Sequence, residues 1–307
     1  MKLVQYFDGH IVVNLLGLII RKRYNRKYNC PEVKEIGINT DSERANKVIV
    51  SLTSFPERKN IVVKTIKTLL TQTMKPDMVI LWLAPEQFPN GENDLPKELL
   101  DLKEYGLTID WYRDIRSYKK IVPTLKKYSD AVIITVDDDI YYAPDTIETL
   151  YKSYLKNPED IHANRCDWIK LITDKNGKEK ITWVKTRELF KDKHRNEASF
   201  RQRLTGYGAV LYPPNSLYKD VTDEEKFLKT IPTHDDIWLW AMAVLNGTRT
   251  RLVKGYSESV NYVEDSQQYG LCKINKKGVG MGLGEAYDII LKEYPQLSDI
   301  LKKEMNA

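Results

Sequence analysis

Cysteine is scarce in this chain, and its spacing excludes two kinds of architecture. The 307 residues include three cysteines, Cys30, Cys166 and Cys272, which lie far apart and form no CxxC pair. Closely spaced cysteines are the usual sign of a structural zinc site or of a disulfide framework. Neither is expected here, and the cysteine content fits a reducing compartment.

Long apolar runs are also missing from the N-terminal part. The apolar run at residues 11–20 (IVVNLLGLII) is too short to span a bilayer, and the basic residues 21–27 follow it. No small-residue cleavage pattern of a secretory signal is present. Two interpretations remain open. The segment either contacts an anionic membrane surface as a peripheral anchor, or packs on the domain before a solvated turn. We expect a cytoplasmic protein in both cases.

Basic residues are in small excess over acidic residues. The net charge is +5. The composition, with 42% hydrophobic and 30% charged residues, is typical of a globular protein. A small basic excess suits acidic partners such as nucleotide phosphates and gives no indication of a nucleic-acid partner. The length allows a sizeable core, in one large α/β domain or in two small ones.

Hydrophobic periodicity predicts alternating strands and helices from residue 47 onward. Strands are predicted at 47–53, 78–83, 107–112 and 131–136, and helices at 60–73, 95–103 and 119–128. This alternation is typical of an α/β fold with a mixed, mostly parallel sheet flanked by helices. Ligands of such sheets bind beyond the carboxyl ends of the strands.

Three consecutive aspartates, Asp137, Asp138 and Asp139, follow the last of these strands. Three carboxylates at a strand end repel one another unless a cation compensates, and a hard divalent cation such as Mn²⁺ or Mg²⁺ is the commonest compensation. An extended backbone would point Asp137 and Asp139 to one side and Asp138 to the other. We expect Asp139 to bind the metal, and Asp137 to reach it through water or to contact a ribose. The alternative is a solvated acidic turn that caps the next helix.

Two further loops are expected at the same edge of the sheet. The first contains Thr53 and Arg58, a hydroxyl and a guanidinium that could hold a nucleotide base and its phosphates. The second contains Arg116, Lys119 and Lys120, one of which could pair with a diphosphate, and we assign this role to Lys119. The alternatives are a turn with a solvated arginine and a solvated helix start.

A second acidic motif begins a predicted helix at residues 235–245. Thr233 is the expected N-cap, and Asp235 and Asp236 fall in the first turn, where the positive end of the helix keeps carboxylates ionised. An ionised carboxylate aimed at a hydroxyl is what a general base requires. Adjacent helical residues project about 100° apart, so only one of the pair can face a substrate. The alternative is acidic capping of the helix.

Several weaker signals have structural interpretations. His162 is interpreted as a structural histidine, and Trp238 and Trp240 as core and rim of their helix. Gly206 and Gly208 either allow backbone to approach a ligand or mark a bulge in a predicted strand at 206–214. The glycine-rich segment 278–284 lacks the strand–helix unit of a dinucleotide fingerprint.

Four of these segments together resemble glycosyltransferases of the GT-A fold. They are the strand and loop VIVSLTSFPER, the helix containing LLTQT, the strand VILWL and the strand end VDDDIYY. The resemblance covers about residues 47–260 and is strongest to bacterial polysaccharide transferases of the family-2-like kind, with some likeness to exostosin-type enzymes. It implies an N-terminal extension (1–46), a nucleotide-binding half (47–155), an acceptor half (156–270), and a C-terminal loop and helix (271–307).

The resemblance also implies an activity and a set of site residues. The activity is metal-dependent transfer of a sugar from a nucleotide-diphosphate sugar to a saccharide or lipid-linked acceptor, in capsular or other surface polysaccharide synthesis. Thr53 and Arg58 would contact the donor base and phosphates, Asp137 and Asp138 would complete the donor site, and Asp139 would hold Mn²⁺ or Mg²⁺.

The catalytic base implied by the resemblance is the second member of the acidic pair, Asp236, with Asp235 as the other candidate. Inversion and retention at the anomeric carbon both stay open. A sugar-nucleotidyltransferase is an alternative function, but its first strand would normally be followed by a glycine-rich phosphate loop, and SLTSFPER contains no glycine. The remaining alternative is a non-catalytic protein that binds nucleotide sugars.

Overall fold

A computed structural model of the chain describes residues 30–41, 43–189, 197–253, 261–269 and 280–306. The apolar and basic residues 11–27, with their two interpretations, lie outside these ranges, as do residues 278 and 279 of the glycine-rich segment. Across the described ranges, every helix is too short or too polar to cross a membrane.

A seven-stranded mixed sheet and a three-stranded sheet organise the chain. The strands are β1 (Val48–Thr53), β2 (Met78–Leu83), β3 (Leu107–Trp111), β4 (Val132–Thr135), β5 (Ile161–Ala163), β6 (Cys166–Thr173), β7 (Glu179–Trp183), β8 (Gln202–Leu204), β9 (Val210–Tyr212) and β10 (Thr250–Leu252). The larger sheet has the order β10-β5-β9-β4-β1-β2-β3, and the smaller has the order β7-β6-β8. Among the described strands of the larger sheet, only β9 is antiparallel to its neighbours. The predicted mixed, mostly parallel α/β fold is confirmed.

Helices cover the sheet and connect its strands. They are α1 (Ile61–Leu69), α2 (Lys97–Asp101), α3 (Val122–Lys127), α4 (Thr146–Lys156), α5 (Thr186–Leu189), α6 (Glu224–Thr230), α7 (Asp235–Leu245), α8 (Leu283–Glu293) and α9 (Gln296–Met305). The strands and helices predicted up to residue 136 are all found, with ends that move by a few residues. The β-branched runs of β1 and β4 are buried on both faces, as parallel strands covered by helices require.

Helix α7 is the centre of the second half of the core. Every apolar residue of this helix up to Val244 is buried, including Trp238 and Trp240. The expectation that one tryptophan lies at the rim is wrong, because the C-terminal helices cover the outer side of α7. Trp240 meets Tyr287 of α8 edge-on, with 5.9 Å between the ring centres.

Two predicted elements differ from the structure. The C-terminal residues form the two helices α8 and α9 where one is predicted, because Pro295 lacks an N–H and disfavours helix in the residue before it. The predicted strand at 206–214 begins as a 3₁₀ turn, Gly206–Gly208, and only Val210–Tyr212 pairs with the sheet.

Candidate active site

The acidic triplet lies at the carboxyl edge of the larger sheet. Strands β1 and β4 run parallel side by side, so the loops that follow them emerge at the same edge. The first loop carries Ser54 and Arg58. After β4 the chain turns at Asp138 and Asp139.

Asp138 and Asp139 share the guanidinium of Arg58. Nη1 of Arg58 donates to Oδ1 of Asp138 (2.5 Å), and Nη2 lies 3.0 Å from Oδ2 of Asp139. Ser54 Oγ also donates to Asp138 (2.6 Å), and Gln267 Nε2 donates to Asp139 (3.0 Å). The predicted alternation, with Asp138 facing away, is therefore wrong. Side chains alternate only along an extended backbone, and here the chain turns.

Lys120 joins the triplet to the second acidic motif. Its ammonium lies 3.1 Å from Oδ1 of Asp137 and 2.8 Å from Oδ2 of Asp235. Burial alone would lower the pKa of Lys120, but the charges of Asp137 and Asp235 raise it well above its usual range. The lysine is therefore charged near neutral pH. It bridges two motifs that are distant in the sequence.

Lys119, assigned to the donor from the sequence, does not reach the acidic triplet. Its ammonium pairs with Asp114 at 2.5 Å and is buried there. Both lysines lie in the 3₁₀ segment Arg116–Lys120, where adjacent side chains project about 120° apart. Only one of the two can face the triplet, and in this structure it is Lys120.

Asp235 is enclosed by cationic and hydrogen-bonding partners at the start of α7. Ser117 Oγ donates to its Oδ1 (2.8 Å), and Lys120 pairs with its Oδ2. Burial acts to raise the pKa of Asp235, but Lys120 and Ser117 hold it below its ordinary value. The predicted N-cap Thr233 is wrong, since His234 occupies the cap position.

Asp236 is the more accessible member of the pair. Its side chain is 28% exposed, against 9% for Asp235. The N–H of Gly206 donates to Oδ1 of Asp236 (3.1 Å), and Arg203 Nη1 lies 3.9 Å from Oδ2. Burial and the charge of Asp235 raise the pKa of Asp236 to about 6, against Lys120 and Arg203, which lower it. A carboxylate with this pKa is ionised at neutral pH and can accept a proton.

Gly206 is the point at which the two acidic motifs meet. A Cβ at this position would lie 2.6 Å from Nζ of Lys120, 3.0 Å from Oδ1 of Asp236 and 3.4 Å from Oδ1 of Asp137. No ordinary side chain fits there without displacing one of these groups. Ala209, shortly after it, has a φ of 71°, which is an unfavourable backbone conformation for a residue with a Cβ.

The acidic groups of this site are only partly neutralised. Burial raises the pKa of Asp139 to about 7. Arg58 acts to lower it, and the charges of Asp137 and Asp138 act to raise it further. From the sequence, a divalent cation is the expected compensation for the triplet. In the structure, part of that compensation comes from Arg58 and Lys120.

The donor set nevertheless fits a divalent cation. In the described part of the chain, no three acidic, histidine or cysteine side chains surround a common metal position. The hydrogen bonds and ion pairs described above engage Oδ1 of Asp137 and Oδ2 of Asp139, and the second oxygen of each carboxylate has no such contact with a described residue. Mg²⁺ binds proteins through one or two carboxylates and completes its shell with water and phosphate oxygens. Asp139 could hold such a cation, with Asp137 reaching it through water.

Other residues considered in the sequence have structural contacts. Thr53 Oγ1 donates to the carbonyl of Trp82 (2.8 Å) at the end of β1. His162 contacts Ser153 Oγ and the carbonyl of Asn157, each at 2.9 Å, and burial lowers its pKa to about 4. His162 is therefore a neutral, structural histidine.

Four polar residues of the site belong to none of the sequence motifs: Ser54, Ser117, Arg203 and Gln267. Ser54 and Ser117 lie next to residues that the sequence does indicate, so their proximity is a usable signal. Arg203, on β8, pairs with Asp167 and faces Asp236. Gln267 reaches Asp139 from a distant segment. These last two contacts depend on tertiary packing, and no local pattern predicts them.

Comparisons with known proteins give distant structural similarities. No protein-family model and no curated protein matches the sequence. GalNAc-T7 with UDP, GalNAc and Mn²⁺ is similar with 12% identity and a TM-score of 0.42. The match covers 68% of this chain and 42% of that one, so this chain spans less than half of its length.

Two further solved structures are similar at the same level. Mannosyltransferase PcManGT from Pyrobaculum calidifontis, in complex with GDP-Man and Mn²⁺, is 12% identical over 99% of this chain and 84% of its own, with a TM-score of 0.45. CMP:2-keto-3-deoxy-manno-octonic acid synthetase complexed with CTP is 12% identical over 67% of this chain and 88% of its own, with a TM-score of 0.40. Similarity at this level establishes neither a family nor an activity for this chain.

Proposed function

We propose that the protein is a metal-dependent glycosyltransferase of the GT-A type, which moves a sugar from a nucleotide-diphosphate sugar to a saccharide or lipid-linked acceptor. One observation carries the proposal: Asp137 of the triplet and Asp236 of α7 both lie against the backbone of Gly206. Sugar transfer needs a site for the donor diphosphate beside a base for the acceptor hydroxyl. The two acidic motifs supply these two functions side by side.

The triplet and its partners form the donor side of the proposed site. When bound, a divalent cation would neutralise charge that develops on the departing nucleotide diphosphate. Asp139 is its proposed protein ligand, and Arg58 fixes the carboxylates of Asp138 and Asp139 from the opposite loop. Thr53 and Arg58 flank the loop that would contact the base and phosphates of the donor.

Asp236 is the proposed base on the acceptor side. Both oxygens of Asp235 are engaged by Ser117 and Lys120, whereas Oδ2 of Asp236 faces Arg203 at 3.9 Å and the side chain is partly open to solvent. Asp236 would remove the proton of the acceptor hydroxyl as that oxygen attacks the anomeric carbon. This role implies inversion of configuration.

The acceptor and the setting of the reaction belong to the proposal as well. The resemblance of the sequence motifs supports an acceptor used in bacterial surface polysaccharide synthesis. The apolar and basic residues 11–27 are the proposed peripheral contact with the membrane that carries a lipid-linked acceptor. Deleting these residues should release the protein from the membrane fraction, and an unchanged distribution would contradict the contact.

A donor screen tests the proposed activity. Nucleotide sugars are added to the protein with and without Mn²⁺, and thermal stability and release of nucleotide diphosphate are measured. One donor should stabilise the protein in a metal-dependent manner. Asp139→Asn should abolish that response, whereas Asp101→Asn, an exposed aspartate paired with Lys97, should keep it.

The other outcomes of the screen identify the alternatives. Pyrophosphate released from a nucleoside triphosphate and a sugar phosphate would indicate a nucleotidyltransferase. Donor binding without transfer or hydrolysis would indicate a non-catalytic protein. The absence of any metal-dependent donor response across the panel would contradict the proposal.

A further inference from the structure

Lys120 is a buried cation that contacts both acidic motifs. Its ammonium is within 3.1 Å of Asp137 and 2.8 Å of Asp235. We propose that Lys120 is a positioning residue, which holds Asp235 away from the acceptor and thereby leaves Asp236 as the only base. The inference rests on the proposed glycosyl transfer and assigns a further residue to it.

The contacts of the acidic pair support this role. Oδ2 of Asp235 pairs with the ammonium of Lys120 and its Oδ1 accepts from Ser117, so each oxygen already faces a partner of the protein. Asp236 is oriented from a different direction, by the N–H of Gly206 at 3.1 Å. The two adjacent carboxylates therefore have fixed and different orientations, and the ammonium sets one of them.

The space around the ammonium is limited to a lysine. A Cβ on Gly206 would lie 2.6 Å from Nζ, so the backbone of Gly206 closes one side of the ammonium. A guanidinium is larger and planar, and it cannot replace a compact ammonium between two carboxylates without moving them. Lys120→Arg is therefore expected to behave as a loss of function, which is an unusual result for a conservative change.

Removing the ammonium of Lys120 would change the pKa of Asp236 as well as the orientation of Asp235. The charged groups with the largest effect on Asp236 are Asp235 on its own helix, Arg203 on β8, Lys120 after β3 and Asp137 after β4. The titratable side chains of Tyr207, Tyr212 and Tyr287 also interact with its charge, and burial raises the pKa of each, which keeps them neutral. Asp235 and Asp137 raise the pKa of Asp236, and Lys120 and Arg203 lower it. Without Lys120, Arg203 would be the one cation of this set that still lowers it. The acid limb of the transfer rate would then move to higher pH, because Asp236 would hold its proton more tightly.

The test compares Lys120→Met, Asp235→Asn and the double variant Lys120→Met/Asp235→Asn. Transfer kcat, donor KM and the pH profile are measured for each, with thermal unfolding as the check on folding. Lys126→Met is the control, because it removes another lysine that pairs with a buried acid, Glu224.

We expect Lys120→Met to lower transfer kcat by about tenfold or more near neutral pH, with a donor KM within about threefold of wild type, and to move the acid limb upward by about one pH unit. Asp235→Asn should remain active and shift the acid limb downward, since it removes a like charge. The double variant should recover most of the lost kcat, because it removes the anion together with its partner. The control should match wild type.

Three results would overturn the inference. The first is a folded Lys120→Met enzyme with wild-type kcat and pH profile. The second is an inactive Asp235→Asn enzyme, which would make Asp235 the base. The third is a folded double variant whose kcat stays at the level of Lys120→Met or, where Lys120→Met does not fold, stays about tenfold or more below wild type. A wild-type protein without transfer would instead refute the proposed function itself.

Discussion

Replacing Asp236 with asparagine should make the protein more stable and much less active. Asparagine has nearly the same shape and can still accept the hydrogen bond from the N–H of Gly206. It cannot accept a proton from a hydroxyl near neutral pH. A positioned general base typically contributes about 10²- to 10⁴-fold to a rate, and transfer kcat should fall by that factor.

The gain in stability follows from the raised pKa of Asp236. Burial and the charge of Asp235 raise it from 3.8 to about 6. Each unit corresponds to about 1.4 kcal/mol, so ionised Asp236 lowers the free energy of unfolding by roughly 3 kcal/mol at neutral pH, and by less where solvent screens the partly exposed carboxylate.

The size of this effect depends on pH in a defined way. Below about pH 4 the carboxyl is protonated in both the folded and the unfolded state, and the substitution should have almost no electrostatic effect. Between about pH 4 and pH 6 the unfolded state releases its proton first, so the cost to the folded wild type grows. Above the folded-state pKa the cost is complete. Asp236→Asn should then raise the free energy of unfolding by about 1–3 kcal/mol.

The test measures urea unfolding below about pH 4 and above about pH 6, and it measures transfer rates across the same range. For wild type, the ionised fraction of Asp236 predicts a transfer rate about tenfold lower at pH 5 than at pH 7. Asp101→Asn serves as a matched control for the loss of one exposed carboxylate. The assignment would be refuted by a variant that turns over normally, and the electrostatic account by one that is less stable than wild type near neutral pH.

Three further changes test other parts of the structure. Asp139→Ala should weaken binding of nucleotide diphosphate in the presence of Mn²⁺ by calorimetry, and an unchanged affinity would count against Asp139 as metal ligand. Gly206→Ala should lower transfer by about tenfold or more. Its methyl group would displace the ammonium of Lys120, and a wild-type rate would show that the cluster tolerates movement. Trp238→Ala should cost about 3–5 kcal/mol in chemical unfolding, since the fully buried ring packs on Tyr294. A loss below about 1 kcal/mol would contradict this packing.

The first half of the fold was predictable because its signals are local. Strand β2 is predicted at 78–83 and observed at Met78–Leu83, since a strand buried on both faces is a continuous apolar run. In the second half, strands β5, β9 and β10 have three residues each. Such strands are too short for an alternation of apolar and polar residues to be recognised in the sequence. Their places in the sheet are decided by pairing with strands that are distant in the sequence.

The candidate site divides in the same way. The triplet and the acidic pair are recognisable because each is a short pattern at the end of a strand or the start of a helix. The choice between Lys119 and Lys120 depends on the rotation of a 3₁₀ segment, and the burial of Asp138 depends on a turn. The contact between Arg203 and Asp236 joins β8 to α7, and only the folded chain brings them together.

The bridge made by Lys120 has a consequence for how this sequence can diverge. Removing one partner of a buried ion pair typically costs about 3–5 kcal/mol, a large share of the stability of a typical domain. A relative that loses the lysine at position 120 is therefore expected to lose an acid at position 137 or 235 as well. Position 206 should stay glycine for as long as the lysine is kept. These positions would then be inherited as a unit, and their joint presence or absence would divide the relatives of this chain into two groups.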